Sequence, residues 1–221
     1  MESNTIRDNV RKAYDSMAEH YLEWTHASHG TRLGYIQRLL DLLESQHKDQ
    51  TPPQQTLHAL ELGCGAGVPG TQFLISKGIS VTANDISSAQ ISLARTHLPS
   101  SVTLIEGDMM DLEFPAAQFD CVIALYSIFH LPRDDQRTML QRIRGWLKPG
   151  GLFLGSFAAG ELEEKEKAWL GATDGVMHWA GWGVEQTCAV FGELGWEVLV
   201  KEVKTEIEDG KAIPFLWVMA R

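Results

Sequence analysis

The chain has no run of basic residues, no closely spaced cysteine pair, and no apolar stretch near the ~20 residues that cross a bilayer. Its three cysteines, Cys64, Cys121 and Cys188, are far apart, which excludes a disulfide framework or a zinc site and fits a reducing compartment; no metal is expected. Only 19 Lys and Arg stand against 29 Asp and Glu, a formal charge of −10. That sign is wrong for a protein that gains affinity by neutralising phosphates, so nucleic acid is set aside as a partner. No cationic start followed by a short apolar core is present, which makes a cytoplasmic protein without a membrane partner the expectation. What remains is 221 residues, 44% of them apolar, enough for one well-buried domain over 1–221 and too few for two.

Against that background one stretch stands out, Leu57 to Gly70. An apolar run ending at Glu61-Leu62 breaks into alternating glycines, the pattern of a buried strand feeding a loop whose backbone lies against a ligand. Gly65, Gly67 and Gly70 also spell the G-x-G-x-x-G of a dinucleotide turn, with Asp85 about 20 residues on, so a nicotinamide oxidoreductase is one reading of the motif.

Upstream, Ile6, Val10, Ala13, Tyr14, Met17, Tyr21 and Leu22 recur at helical steps, predicting an amphipathic helix over 5–24. A second helix follows over 31–45, then a Gln- and Pro-rich linker over 48–56, so residues 1–47 read as a helical cap before a core over 57–221. Within the core, strands and helices alternate. Ser87 with Gln90 forms a capping box that starts a helix just after Asp85, and Phe119 to Leu125 is apolar enough for a strand buried on both faces. Such alternation predicts a doubly wound, mostly parallel sheet with helices on both faces, whose ligands gather beyond the strands' carboxyl ends. Gly63 to Gly67, Asp85, Asp108-Met109 and Tyr126 to His130 all fall at those ends. Glu161 to Leu170 reads as a charged helix, and the Trp- and Gly-rich segment after it makes 159–183 a candidate lid. Two strand-like runs around Glu208-Asp209-Gly210 close the chain as a hairpin, so the last strand is antiparallel. Cys188 reads as a core residue.

The order of these motifs resembles the class I S-adenosylmethionine-dependent methyltransferases, in the subgroup with a Tyr-Asp-x-x-Ala-x-x-Tyr helix in front. The matching residues are Tyr14-Asp15, Ala18, Tyr21, Glu61 to Gly67, Asn84 to Ser87, Glu106 to Met109, Phe119-Asp120 and Leu147 to Gly151. The resemblance implies a seven-stranded Rossmann-like sheet and S-adenosyl-L-methionine as cofactor. It places the backbone of Gly63, Cys64, Gly65 and Gly67 against the methionine part, with Glu61 orienting its ammonium. Asp85 would hold the ribose hydroxyls, Ile86 would pack on adenine, and Asp108 with the Met109 N–H would read its edge. Tyr14 and Tyr21 would cap the methionine end, and Leu125 and Tyr126 would border the sulfonium.

Methyl transfer to an O, N or S atom of a small-molecule metabolite, by in-line displacement, is the activity this implies. His130 is the candidate general base, with a pKa that works near neutrality, or else a hydrogen-bonded structural residue. Trp24, His178, Trp179 and Trp182 are the candidate acceptor contacts; members of the family often carry Trp-Ser-His where this chain has Trp179-Ala180-Gly181. A cofactor-binding protein that transfers no methyl group is the further alternative.

Overall fold

The structure, a computed structural model, describes residues 2–47 and 56–221; most of the linker expected over 48–56 lies outside the described residues. Helix α1 (Glu2–Trp24) is followed by a short 3-10 turn and α2 (His29–His47). The core then runs β1 (His58–Leu62), α3 (Gly70–Ser76), β2 (Ser80–Asp85), α4 (Ser88–His97), β3 (Thr103–Glu106), β4 (Phe119–Ala124), α5 (Arg133–Trp146) and β5 (Leu147–Ala158). It ends with β6 (Glu161–Glu166), β7 (Met177–Trp182), α6 (Gly183–Glu193), β8 (Val198–Glu208) and β9 (Lys211–Ala220).

Seven strands form one sheet in the order β3-β2-β1-β4-β5-β9-β8. The β1–β2, β2–β3, β1–β4 and β4–β5 ladders are parallel, whereas β9 runs antiparallel to both β5 and β8. The doubly wound expectation holds, antiparallel last strand included. The order reverses between β1 and β4, which opens a crevice beyond their carboxyl ends.

Alternation along the strands divides the core by face. Ala59 and Ile123 pack with Ile36, Leu39 and Leu43 of α2 and with Ile91 of α4 on one side. Leu60, Leu62 and Val122 pack with Met139, Leu140 and Ile143 of α5 and Phe191 of α6 on the other. Tyr35 stacks on Trp217 of β9 at 4.1 Å, a near-parallel pair that fixes α2 to the sheet. Among the described residues no helix is long and apolar enough to cross a membrane.

The Lys148-Pro-Gly-Gly motif has a structural role. Lys148 donates to both carboxylate oxygens of Asp120, at 2.9 and 2.8 Å, and Asp120 also accepts the His58 N–H at 2.7 Å. A Cβ on Gly151 would lie 3.0 Å from the Asp120 carbonyl. The motif thus ties the starts of β1, β4 and β5 together.

The charged helix expected over 161–170 is not there. Glu161–Glu166 is strand β6, paired antiparallel with β7 from Glu161 opposite Trp182 to Glu166 opposite Met177. Segment 159–183 is therefore a two-stranded hairpin whose loop end is held by packing: Met177 and Ala172 bury against Ala13 and Met17 of α1. Cys188 is half-buried.

Candidate functional site

A pocket open to solvent lies in the crevice beyond the strands' carboxyl ends, where doubly wound sheets bind ligands. Its wall combines Tyr14 and Tyr21 of α1, Gly63 and Gly65 after β1, Asp85 and Ile86 after β2, Asp108 and Met109 after β3, and Tyr126 and His130 after β4. Of the residues named from the sequence, these ten meet. Glu61, Cys64, Gly67 and Leu125 do not line it.

Asp85 explains how the glycine loop is shaped. Its two carboxylate oxygens accept the Gly65 N–H (2.8 Å) and the Ser87 N–H (2.9 Å), which fastens the first loop to the second. Each oxygen retains lone-pair capacity toward the cavity. Burial pushes this carboxyl up to about 6 despite the two N–H donors, the mark of an acid held for a ligand at a cost in solvation. Glu61 sits behind the loop, accepting from the Thr71 hydroxyl at 2.5 Å. Burial pushes it up to about 7, and a Cβ on Gly70 would collide with its oxygen at 2.3 Å, so Glu61 braces the start of α3.

Tyr126 adopts φ 54°, a left-handed conformation that bulky residues avoid. The strain is held from two sides: its N–H donates to Ser156 Oγ at 2.7 Å, and its hydroxyl donates to Glu206 at 2.6 Å. Such outliers collect where function fixes a geometry.

The Asp of the Tyr-Asp motif joins the cap to the core. Asp15 accepts from the Ser87 hydroxyl (2.7 Å) and the Ala89 N–H (3.2 Å), so it adds to the N-terminal cap of α4. Ser87 itself accepts the Gln90 N–H, as the capping box predicted. With α1 docked this way, Tyr14 and Tyr21 face the glycine loop. Asp15→Ala is expected to cost about 1 kcal/mol, lowering Tm by roughly 2–4 °C in differential scanning calorimetry.

His130 is buried with both ring nitrogens engaged. Nδ1 donates to the His178 carbonyl at 2.8 Å, and Nε2 lies 2.9 Å from the Tyr14 hydroxyl. Burial pushes its imidazole down to about 4, below the near-neutral value expected for a base. His178 returns the contact, its Nδ1 donating to the His130 carbonyl at 3.0 Å. His178 therefore clasps the hairpin to the β4 loop and does not line the cavity. Trp182 also points elsewhere, packing with the α5 and α6 side of the core. Trp24 and Trp179 do not line the cavity either: Trp24 stacks on Tyr21 and Trp179 tilts against His130, and each meets Trp169 edge-on at 5.5 and 5.4 Å.

The sequence did not single out Val10, Ser127 and Leu131 as part of the lining, nor four side chains in or beside it that matter to its chemistry. Gln90 lines the cavity with both amide atoms buried and unpartnered, although the sequence marked it only as a cap partner. Arg7 donates to Asp108 and Asp135, sharing the acid named for an adenine edge. Arg32 lies with its guanidinium 4.3 Å over the Tyr126 ring, and its Nε donates to Ser28 Oγ at 3.0 Å. Among the described residues it has no carboxylate in ion-pair range. Trp169 sits between Tyr14, Tyr21 and Trp24. Nothing local in the sequence separates these from surface positions.

Residues 59–151 match the family model described as methyltransferase domain. The (+)-O-methylkolavelool synthase of Herpetosiphon aurantiacus is 31% identical over 167 residues, 69% of this chain and 57% of that protein. A sterol 24-C-methyltransferase of Gibberella zeae is 24% identical over 98% of this chain and 62% of its own length. The chain thus spans about three fifths of these two curated relatives. The DhpI–SAH complex structure superposes with a TM-score of 0.66 at 21% identity, covering 99% of this chain and 98% of that one.

Proposed function

We propose that this chain, a member of the class I S-adenosylmethionine-dependent methyltransferases by its domain match and fold, transfers a methyl group to an O, N or S atom of a small molecule. The observation that carries the reading is the convergence of Asp85, Gly65, Met109 and three tyrosines on one cavity at the sheet's switch point.

The residues fit the cofactor, S-adenosyl-L-methionine. Gln90 is the clearest sign: a buried amide with neither atom satisfied, 3.6 Å from where a Gly65 Cβ would stand, is costly unless a polar ligand completes it. Asp85 would accept from the ribose hydroxyls, Ile86 and Met109 would flank the base, and Asp108, already bonded to Arg7, would present its remaining lone pairs to the base edge. Arg32 would face the carboxylate of the methionine part, and Tyr14, Tyr21 and Tyr126 would surround the sulfonium. The cofactor supplies a methyl group already activated on positive sulfur. The chain's task is alignment and exclusion of water, worth effective molarities of order 10⁵ M or more. Aromatic rings near the positive charge add about 0.5–2 kcal/mol each.

Trp24, Trp169 and Trp179 form the acceptor's side of this site. The nicotinamide reading gains nothing from the glycine loop, where the Gly65 N–H that a pyrophosphate would use is already held by Asp85. Isothermal titration is expected to show saturable binding of S-adenosylhomocysteine and none of NADH. Saturable NADH binding with no response to S-adenosylhomocysteine would overturn the proposal.

A further inference from the structure

Resting on that methyltransferase reading, we propose that Tyr14 and His130 form a proton relay and that the acceptor it serves is a hydroxyl group. The tautomer follows from geometry. A carbonyl can only accept, so the 2.8 Å contact to the His178 oxygen requires a proton on Nδ1. The neutral ring then has a bare Nε2, which accepts the Tyr14 O–H at 2.9 Å. With its proton turned toward His130, the Tyr14 oxygen keeps two lone pairs, one toward the Tyr21 side chain and one for the cavity that both tyrosines line. A ligand group that donates a hydrogen bond belongs beside it.

The ring is held rigidly. Tyr14 from α1, Phe129 beside it and Trp179 from β7 all contact the imidazole, and among the described residues the only other titratable group against it is His178. No carboxylate faces it among the described residues, so burial is uncompensated and the imidazole stays neutral until about 4. Such a base is too weak to ionise a hydroxyl in advance. It is strong enough to collect the proton as methylation proceeds, because an oxygen that has begun to bond carbon becomes far more acidic than an imidazolium.

The step balances. The acceptor oxygen gains the methyl group while the carbon–sulfur bonding pair stays on sulfur. The acceptor's proton passes to Tyr14 Oη as the Tyr14 proton passes to His130 Nε2, leaving a neutral ether and an imidazolium that loses its proton to solvent. An amine keeps a proton it can hold at neutral pH, and a thiol reacts as a thiolate, so neither needs the relay. This is what selects the hydroxyl. His130 acts through Tyr14 and is a positioning residue; Tyr14 is the group that meets the acceptor.

Two measurements test this. In ¹⁵N-histidine-labelled protein, with His130→Asn identifying the resonances, His130 is expected to show a protonated Nδ1 and a bare Nε2 at neutral pH. Its Nε2 signal should shift in Tyr14→Phe. A protonated Nε2 overturns the relay without reference to any activity. Second, S-adenosylhomocysteine formation is followed with 2-naphthol and 2-naphthalenethiol. The naphthol-to-thiol rate ratio is expected to fall about 10²-fold or more in both variants, the size of general acid–base assistance. An unchanged ratio means the pair is only structural. Calorimetric binding of S-adenosylhomocysteine to the wild type without transfer to 2-naphthol overturns the hydroxyl assignment alone, whereas absent binding removes the methyltransferase reading beneath it.

Discussion

Asp85→Ala is expected to weaken S-adenosylhomocysteine binding by roughly 10²-fold or more while the circular dichroism spectrum stays that of the wild type. Two hydrogen bonds from ligand hydroxyls to one carboxylate are each worth about 1.5–3 kcal/mol, and alanine removes both. The variant also frees the Gly65 and Ser87 N–H groups that Asp85 now holds, so part of the loss is disorder in the glycine loop. Asp85→Asn separates the two effects: it keeps one acceptor for the loop and removes the charge. The pH dependence follows from the same group. In the free protein burial holds the Asp85 carboxyl protonated up to about 6, above its ordinary 3.8. A ligand that donates to the charged form lowers that value on binding, so affinity is full above about 6 and falls as pH drops through it, by up to about tenfold per unit. Asp85→Asn should lose that acid limb in titrations across about pH 5 to 8. Alanine and wild-type proteins with equal affinity would show that the ribose is held elsewhere.

The folded state carries the cost of this acid. Because its folded value is raised, Asp85 favours the folded protein while protonated, and that contribution is lost as pH rises from 3.8 through about 6. Glu61, raised to about 7, works in the same direction over a window reaching slightly higher. The unliganded site therefore loses stability toward neutral pH.

The core was legible because its signals are local. Ser87 and Gln90 cap α4 whatever lies beyond them, and the apolar run of β4 needs no partner to be recognised as buried. The acids at strand ends fell together because parallel topology puts every such end on one edge. The β6 segment failed for the opposite reason. Glu161 to Glu166 is built of good helix formers with one apolar residue, Leu162, and becomes a strand only because β7, more than ten residues later, lies antiparallel beside it. His130 was found by position, but its chemistry depends on Tyr14, 116 residues away, and on a carbonyl 48 residues away. Burial from those contacts moved it out of the neutral range. Arg32 carried no signal at all, since on a helix of ordinary amphipathic pattern an arginine reads as solvated surface.

That arginine gives the other large effect. Arg32→Leu is expected to weaken S-adenosylhomocysteine binding by roughly 10²-fold, in line with the several kcal/mol lost when one partner of a buried charged pair is removed. Its Nε is satisfied by Ser28 Oγ and its face by the Tyr126 ring, while the nearby Glu206 is committed to the Tyr126 hydroxyl. Tyr21 bonds the guanidinium as well, and among the described residues no carboxylate lies in ion-pair range, so the charge at the end of this planar fork is left for a ligand carboxylate to match. A ligand without that carboxylate provides the control. 5′-Methylthioadenosine has the ribose and the base but no amino-acid end, so its affinity should change little in Arg32→Leu. Arg32→Lys should recover only part of the loss, because an ammonium keeps the charge and forfeits the fork. Equal weakening of both ligands would place Arg32 in the framework that supports Tyr126 and leave the carboxylate to another residue.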